Sequence, residues 1–198
     1  MQQNRKQENN GTQQTRLQFL EHSAKTSLLV LGSTAFMNAS CSSTEVKQVR
    51  KVRLQSLEET LTALQPFAKD TKYKLAGNWS LNEVFEHCAQ SVEYSMTGFP
   101  ENRSVVIRQT IGKLVKSKFL GQGYMSHNLN DPILGAPALT PAESYQPGLQ
   151  RLLASIRKFQ AFTDELKIHF VFGSATKEEY DKLHAMHIAN HLSAIQLL

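Results

Sequence analysis

The stretch His184-Ala-Met-His187-Ile-Ala-Asn-His191-Leu192 lies close to the end of the 198-residue chain and holds three of its seven histidines. On an α-helix each residue advances by about 100°, so the three histidines fall on one face. His187 and His191 are four residues apart, a spacing that lets imidazoles on successive turns bind one metal ion. A third ligand must then come from elsewhere in the chain. The alternative is a polar helix face with hydrogen-bonded or solvated histidines.

The sequence on both sides of this stretch predicts a helix. Thr176 precedes Glu178 and Glu179, which is typical of a capped helix start with acidic residues in its first turn. Neither glycine nor proline interrupts the sequence from there to Leu198. We therefore predict that a long helix closes the chain.

Four further segments carry apolar residues at helical spacing: 46–67, 80–98, 102–119 and 142–166. Only the connector 168–173, Ile-His-Phe-Val-Phe-Gly, has a sequence typical of a β-strand. The predicted fold class is therefore all-α, and a four-helix bundle is the natural architecture for helices of this length.

Residues 120–141, between the third and fourth of these segments, are predicted to form a long loop. They contain three glycines together with Pro132, Pro137 and Pro141. A loop of this length is often a lid or the wall of a pocket. Tyr124 and His127 are its polar side chains that can reach a ligand on a metal ion. The alternative is a surface loop that packs on itself, away from the site.

A further histidine lies in the predicted helix 80–98. The helix begins with a capping box, in which Glu83 is the acidic partner of the N-cap residue Ser80. His87 follows one turn later, at the edge of the apolar stripe of this helix. Burying an unpaired imidazole costs on the order of 1–3 kcal/mol. Either a hydrogen bond in the core or a metal ion would satisfy this side chain.

The charge of the chain does not indicate a nucleic-acid-binding protein. The net charge is +5, but the lysines and arginines are scattered and form no block with interleaved aromatic residues. We therefore expect a solvated basic surface and no nucleic-acid partner. The two cysteines, Cys41 and Cys88, are too few for a disulfide framework and lack the paired spacing of a structural zinc site.

The first 41 residues are predicted to be an export signal, disordered or removed, ahead of a globular domain at 42–198. Residues 1–14 are rich in Gln and Asn, Arg16 and the apolar run 28–31 follow, and Ala39-Ser40-Cys41 resembles a lipobox. The signal is of the twin-arginine-like or lipoprotein type. The expected location is the periplasm, or the membrane through a lipid on Cys41. The alternative is a cytoplasmic protein whose N-terminus is an ordinary amphipathic helix.

Several motifs together resemble the DinB/YfiT-like superfamily of metalloenzymes, and most closely a branch with a domain of unknown function. The motifs are Gly77-Asn-Trp-Ser80, His87, Glu93-Tyr-Ser-Met-Thr-Gly-Phe-Pro100, Phe170-Val-Phe-Gly173 and His184-Ala-Met-His-Ile-Ala-Asn-His191. The resemblance covers residues 46–198 and implies a four-helix bundle with a long loop between helices three and four. It also implies a metal site made by His87, His187 and His191.

The resemblance implies a metal-dependent enzyme of the hydrolase or thiol-transferase type, because three imidazole ligands leave one coordination position open. Zinc is the default ion, with nickel or iron as alternatives. The catalytic candidates are His184, on the same helix face, and Glu83, one turn before His87, although Glu83 also fits the capping box. We expect the metal affinity to decrease as the pH drops below about 6.5, the ordinary pKa of imidazole, because protons then compete for the ligand nitrogens.

A non-catalytic metal-binding or small-molecule-binding protein of the cell envelope is the alternative function. Export favours it, because the small thiols that transferases use are chiefly cytosolic. The expected partners are a small-molecule substrate, the membrane only through an N-terminal lipid anchor, and a second copy of the chain in a homodimer.

Overall fold

The computed structural model describes residues 50–198, so the predicted export signal and Cys41 lie outside the described residues. The described part is mostly helical, as predicted. Its helices are α1 (Leu57–Leu64), α2 (Leu81–Thr97), α3 (Val105–Gln109), α4 (Ile111–Gln122), α5 (Gln146–Ala161) and α6 (Lys177–Leu192), with a 3₁₀ turn at Gln65–Ala68. None of these helices combines the length and the apolar character that crossing a bilayer requires.

A small antiparallel sheet corrects the all-α prediction. Strand β1 (Tyr73–Leu75) precedes α2 and pairs with strand β2 (Ile195–Leu197), which follows α6. The last helix therefore stops at Leu192 and does not continue to Leu198. No glycine or proline marks this end of the helix in the sequence. The helix ends where the following residues pair with a distant segment. Pairing with β1 satisfies the backbone groups of the last residues.

The main apolar core lies between α1, α2, α5 and α6. Helix α2 packs along α5, and α6 contacts both α1 and α2. Phe67, Phe85 and Tyr145 meet edge to face at the centre, with ring centroids 5.4–6.2 Å apart. Each buried side chain of this size stabilises the fold by about 1.5–3 kcal/mol. This core fixes the relative position of the two helices that carry the histidines of interest.

The predicted helix 102–119 is two helices, because the backbone breaks at Thr110. Its φ and ψ angles there are −113° and −91°, outside the helical range. Four apolar residues that the helical spacing assigned to a core face are largely exposed: Val105, Val106, Ile111 and Leu114. The break lets α4 turn towards the connector 168–173, where Gly112 packs against the backbone of Val171.

Two other predicted helices are shorter than expected. Residues 50–56 of the first predicted helix are not helical, and α1 begins after Ser56, whose hydroxyl accepts the N–H of Glu59. The predicted helix 142–166 forms only as α5, which has Pro147 in its first turn. The long segment 123–145 between α4 and α5 has no regular structure, as predicted for the loop.

Helix α4 is held against the start of α6. The Lys116 ammonium donates to the Glu179 carboxylate at 2.7 Å and to the Ser174 carbonyl at 2.8 Å. A second, smaller apolar cluster lies beneath this contact and contains Met125, Phe172, Leu183 and Met186. It is separate from the main core, and it borders the site described below.

Replacing Gly112 with Ala tests the docking of α4. A Cβ at this position would overlap the Val171 carbonyl oxygen, so the free energy of unfolding should fall by about 1–3 kcal/mol. Gly121→Ala is the matched control in the same helix, because no atom lies within 4 Å of a Cβ there. It should be neutral or raise stability by up to about 1 kcal/mol. Urea unfolding followed by circular dichroism measures both, and equal effects would contradict the packing.

Candidate metal centre

Three histidines from two helices converge at one point. The Nε2 atom of His187 lies 3.2 Å from the Nε2 atom of His87 and 3.2 Å from that of His191. The three ring centroids are 4.8–5.0 Å apart, and all pairs of rings meet at steep angles. Their ligand nitrogens lie within 4.8 Å of one another, a grouping that could hold a metal ion. The structure thus brings together the three residues predicted as ligands from the sequence.

The spacing of these nitrogens fits a metal ion. Zinc–imidazole bonds are about 2.0–2.1 Å long, so tetrahedral ligand nitrogens stand about 3.3 Å apart. A proton on His187 Nε2 could serve only one of the two 3.2 Å contacts, whereas a metal ion accepts all three lone pairs at once. Two of the three distances between the ligand nitrogens therefore match a metal site, and the cluster has the donor set of a three-imidazole site. Imidazole suits zinc, iron, nickel and copper alike, so the donors do not name the ion.

Trp79, the residue before the N-cap of α2, holds two of the rings in place. Its indole lies over His87 at 5.0 Å between centroids and stacks on His191 at 6.2 Å, with an interplanar angle of 12°. His87 Nδ1 is buried and makes no hydrogen bond within residues 50–198. Ligand histidines usually donate this N–H to an oxygen. Here aromatic packing, and not a hydrogen bond, sets the orientation of the His87 ring.

Burial keeps these imidazoles neutral, which is the form that binds metal. Burial, with a smaller contribution from His127, lowers the pKa of His87 to about 3. Burial and the neighbouring histidines lower the pKa values of His187 and His191 well below the usual 6.5. Burial therefore favours the form that binds metal below pH 6.5 as well, and the expected fall of metal affinity at acidic pH stays a prediction.

The two catalytic candidates have different surroundings. Glu83 completes the capping box of α2 by accepting the Ser80 N–H at 2.7 Å, and it does not line the cavity beside the cluster. His184 does line that cavity and is fully buried between Phe159 and Tyr180, at 5.3 and 5.2 Å between ring centroids. Its Nε2 has no hydrogen-bond partner in the described part of the chain.

A cavity of about 610 Å³ opens beside the cluster. His87 and His187 form part of its wall, and the second apolar cluster supplies Met125, Phe172 and Leu183. Loop 123–145 closes another side through His127, Pro132 and Ile133. The His127 ring lies 4.9 Å from that of His187 and 5.2 Å from that of His191. The loop therefore does reach the site, and the alternative of a surface loop remote from it is wrong.

Three polar side chains on successive turns of α2 fasten this loop over the cavity. Asn82 donates to the Thr140 carbonyl, Glu86 accepts the Thr140 N–H, and Gln90 donates to the Pro137 carbonyl, at 2.9, 2.8 and 3.2 Å. Asn190, the residue before His191, donates to the His127 carbonyl at 3.3 Å. The loop is thus hydrogen-bonded to α2 and α6 as one wall of the cavity.

The two loop residues named from the sequence behave differently. His127 faces the cluster, whereas Tyr124 is partly exposed and packs under the guanidinium of Arg53, 4.3 Å from the ring centre. Trp79 and His169 were not predicted from the sequence as residues of the site. Trp79 stood within a quoted motif and His169 within the quoted connector, but nothing in their spacing indicated that Trp79 would pack on the cluster or that His169 would line the cavity.

The stability of the metal-free protein should depend on pH between about 6.5 and 3. Burial lowers the pKa of all six histidines in residues 50–198, and those of His169 and His184 fall to about 3. Above pH 6.5 these histidines are neutral in both the folded and the unfolded states. Below it the unfolded chain takes up protons that the folded chain cannot, so the free energy of unfolding falls.

The free energy of unfolding should fall with decreasing pH by up to about 1.4 kcal/mol per pH unit for each histidine. Urea unfolding between pH 7.5 and 5, where carboxylates contribute least, measures this slope. His184→Gln should reduce the proton uptake on unfolding by about one. A free energy of unfolding that does not change between pH 7 and 5 would contradict the burial of neutral imidazoles.

No curated protein and no solved structure matches the chain. Residues 46–197 match the model of a family described as Protein of unknown function (DUF1569). The matched region contains α1 to α6 and all three clustered histidines. The predicted domain of unknown function is thereby confirmed, and the chain belongs to the DUF1569 family.

Proposed function

We propose that this protein is a metal-dependent enzyme of the hydrolase or thiol-transferase type, with His87, His187 and His191 as the metal ligands. The observation that carries this proposal is the convergence of three Nε2 atoms beside a cavity of about 610 Å³. Structural metal sites are closed by four protein ligands, whereas catalytic sites keep a position for water or substrate. A three-imidazole set that borders a cavity fits the second class. Zinc is the proposed ion, with nickel and iron as alternatives.

The proposal extends to the fold. We assign the chain to the DinB-like four-helix bundles, with α1, α2, α5 and α6 as the four helices and loop 123–145 as the long connection. The packing of α2 on α5, and of α6 on α1 and α2, supports this assignment. The ligands then lie on the second and fourth helices of the bundle.

A divalent ion in this site would lower the pKa of a bound water towards about 7, or hold a thiolate as a nucleophile. The protein supplies neutral ligands and a mostly apolar wall that limits access of bulk water. Because burial lowers the pKa of His184 to about 3, this side chain is a weak base at pH 7. We therefore assign His184 to hydrogen bonding with the bound molecule, and we assign no catalytic role to Glu83.

Metal content of single variants tests the ligand assignment. Protein purified without chelators should contain about one transition-metal ion per chain, and His187→Gln should lose most of it. His184→Gln is the matched control, because it lies one turn earlier on the same helix, outside the three-nitrogen group, and it should keep the metal. Full metal retention in His187→Gln would overturn the proposed site.

The same proteins test catalysis. Metal-loaded protein should hydrolyse 4-nitrophenyl esters, or transfer a small thiol to an activated aryl halide, at least about tenfold faster than His187→Gln. If the fully metal-loaded protein and His187→Gln gave equal rates, the enzyme proposal would be refuted. The protein would then be a metal-binding protein without this activity.

We also propose that the protein is exported, on the basis of Arg16, the apolar run 28–31 and Cys41. Cell fractionation should find it in the envelope without its first forty or so residues, since signal segments are cleaved near small residues. Cys41→Ser should abolish labelling with a radioactive fatty acid. A cytosolic protein with an intact N-terminus would refute export and favour the thiol-transferase chemistry.

A further inference from the structure

The cavity beside the cluster is elongated along one face of α6. Tyr180, Leu183, His184 and His187 line it in order. A rise of 1.5 Å per residue places the first and last of these about 10 Å apart. Between them the wall is mainly apolar, with contributions from Val115, Phe119, Met125, Ile133 and Phe172. A cavity with such a wall accepts a small molecule with an apolar body.

The end of the cavity near Tyr180 offers a hydrogen-bond donor. The His169 ring lies 6.3 Å from that of Tyr180 and stacks on Phe172 at 4.2 Å. Its Nδ1 accepts two backbone N–H groups, from Val171 and Phe172, each at 3.1 Å. The ring proton of this neutral histidine is therefore on Nε2. Within residues 50–198 this N–H makes no hydrogen bond, so it can donate to a ligand.

The same end carries a positive charge. Arg103 lines the cavity beside Phe170, and its backbone N–H donates to the Phe170 carbonyl at 3.0 Å. Arg103 is an exposed residue, and its guanidinium takes part in none of the ion pairs of the described residues. Guanidinium groups bind carboxylates through two parallel hydrogen bonds. This end therefore matches an anionic acceptor group.

The opposite end has the reverse polarity. His127 Nδ1 donates to the Asn128 carbonyl at 2.9 Å, so Nε2 carries a bare lone pair, and it is buried without a partner in the described part of the chain. Asp131 also lines the cavity, and its carboxylate accepts the Asn128 side-chain amide at 2.7 Å. An acceptor nitrogen and a carboxylate disfavour an anionic group here. They favour a neutral or donor-bearing group next to the three histidines.

We propose that this cavity binds a monocarboxylate with an extended apolar body, its carboxylate at Arg103 and His169 and its other end beside the three-histidine cluster. This proposal rests on the proposed function, because it names the substrate class of the same site. The carboxylate anchors the molecule about 10 Å from the proposed metal position, along the α6 face. The reacting group is then at the end of the substrate remote from its carboxylate.

Calorimetric titration of the metal-free protein tests the proposal without any metal chemistry. The probes are straight-chain alkanoates from butanoate to decanoate and the 1-alkanols of the same lengths. Affinity should rise about threefold to fourfold per methylene until the cavity is filled. Each alkanoate should bind at least about tenfold more tightly than its alkanol. Arg103→Gln should reduce that ratio to less than about threefold, with the gain per methylene unchanged.

Arg157→Gln is the matched control, because Arg157 is an exposed arginine on α5 outside the cavity. It should leave both series unchanged. Equal binding of alkanoates and alkanols by the unaltered protein would overturn the carboxylate end. Failure of both series to bind, with a native circular dichroism spectrum, would overturn the cavity as a ligand site. Loss of the proposed metal site would appear separately, as the absence of metal in elemental analysis.

Discussion

The structure depends on keeping three neutral imidazoles close together in a site from which water is largely excluded. Each ring directs an Nε2 atom at the same point, and the contacts of 3.2 Å leave little room for displacement. Such a cluster exists only if α2 and α6 keep their relative position. The main core holds these helices together, and the β1–β2 pair joins the segment before α2 to the segment after α6. The sheet is small, but it links the start of α2 to the end of α6, the two helices that carry the cluster.

Three faces of helix α2 contact three different parts of the structure. Its apolar face packs against α5, its histidine faces α6, and its polar face holds the loop through Asn82, Glu86 and Gln90. Trp79, just before the helix, packs on two of the clustered rings. One capped helix thus aligns the core, the histidine cluster and the cavity wall, because all three are built on the same rigid element.

Local signals predicted much of this arrangement. Both capping boxes, at Ser80 with Glu83 and at Thr176 with Glu179, form as the sequence indicates, because they depend only on neighbouring residues. The pairing of His187 with His191 follows from helical spacing alone. The long loop was also predicted from its glycines and prolines. The family resemblance supplied His87, which helical spacing could not have linked to the other two.

Contacts between distant segments could not be predicted in the same way. Residues 195–197 have the composition of a helix end, and only their pairing with residues 73–75 makes them a strand. The break at Thr110 likewise depends on the approach of Gly112 to Val171, nearly sixty residues further along the chain. The tautomers of His127 and His169 depend on contacts with main-chain groups that no periodicity shows.

The fastening of loop 123–145 separates what can vary among homologous proteins from what cannot. Asn82, Glu86 and Gln90 form hydrogen bonds with main-chain atoms of Thr140 and Pro137. Every amino acid has the carbonyl group used here, and every amino acid except proline has the N–H group. Side chains along the loop can therefore change in evolution without releasing it from α2. The histidine cluster is carried by helices and would be unaffected. Gene duplicates could in this way acquire new cavity walls while they inherit the same histidine cluster.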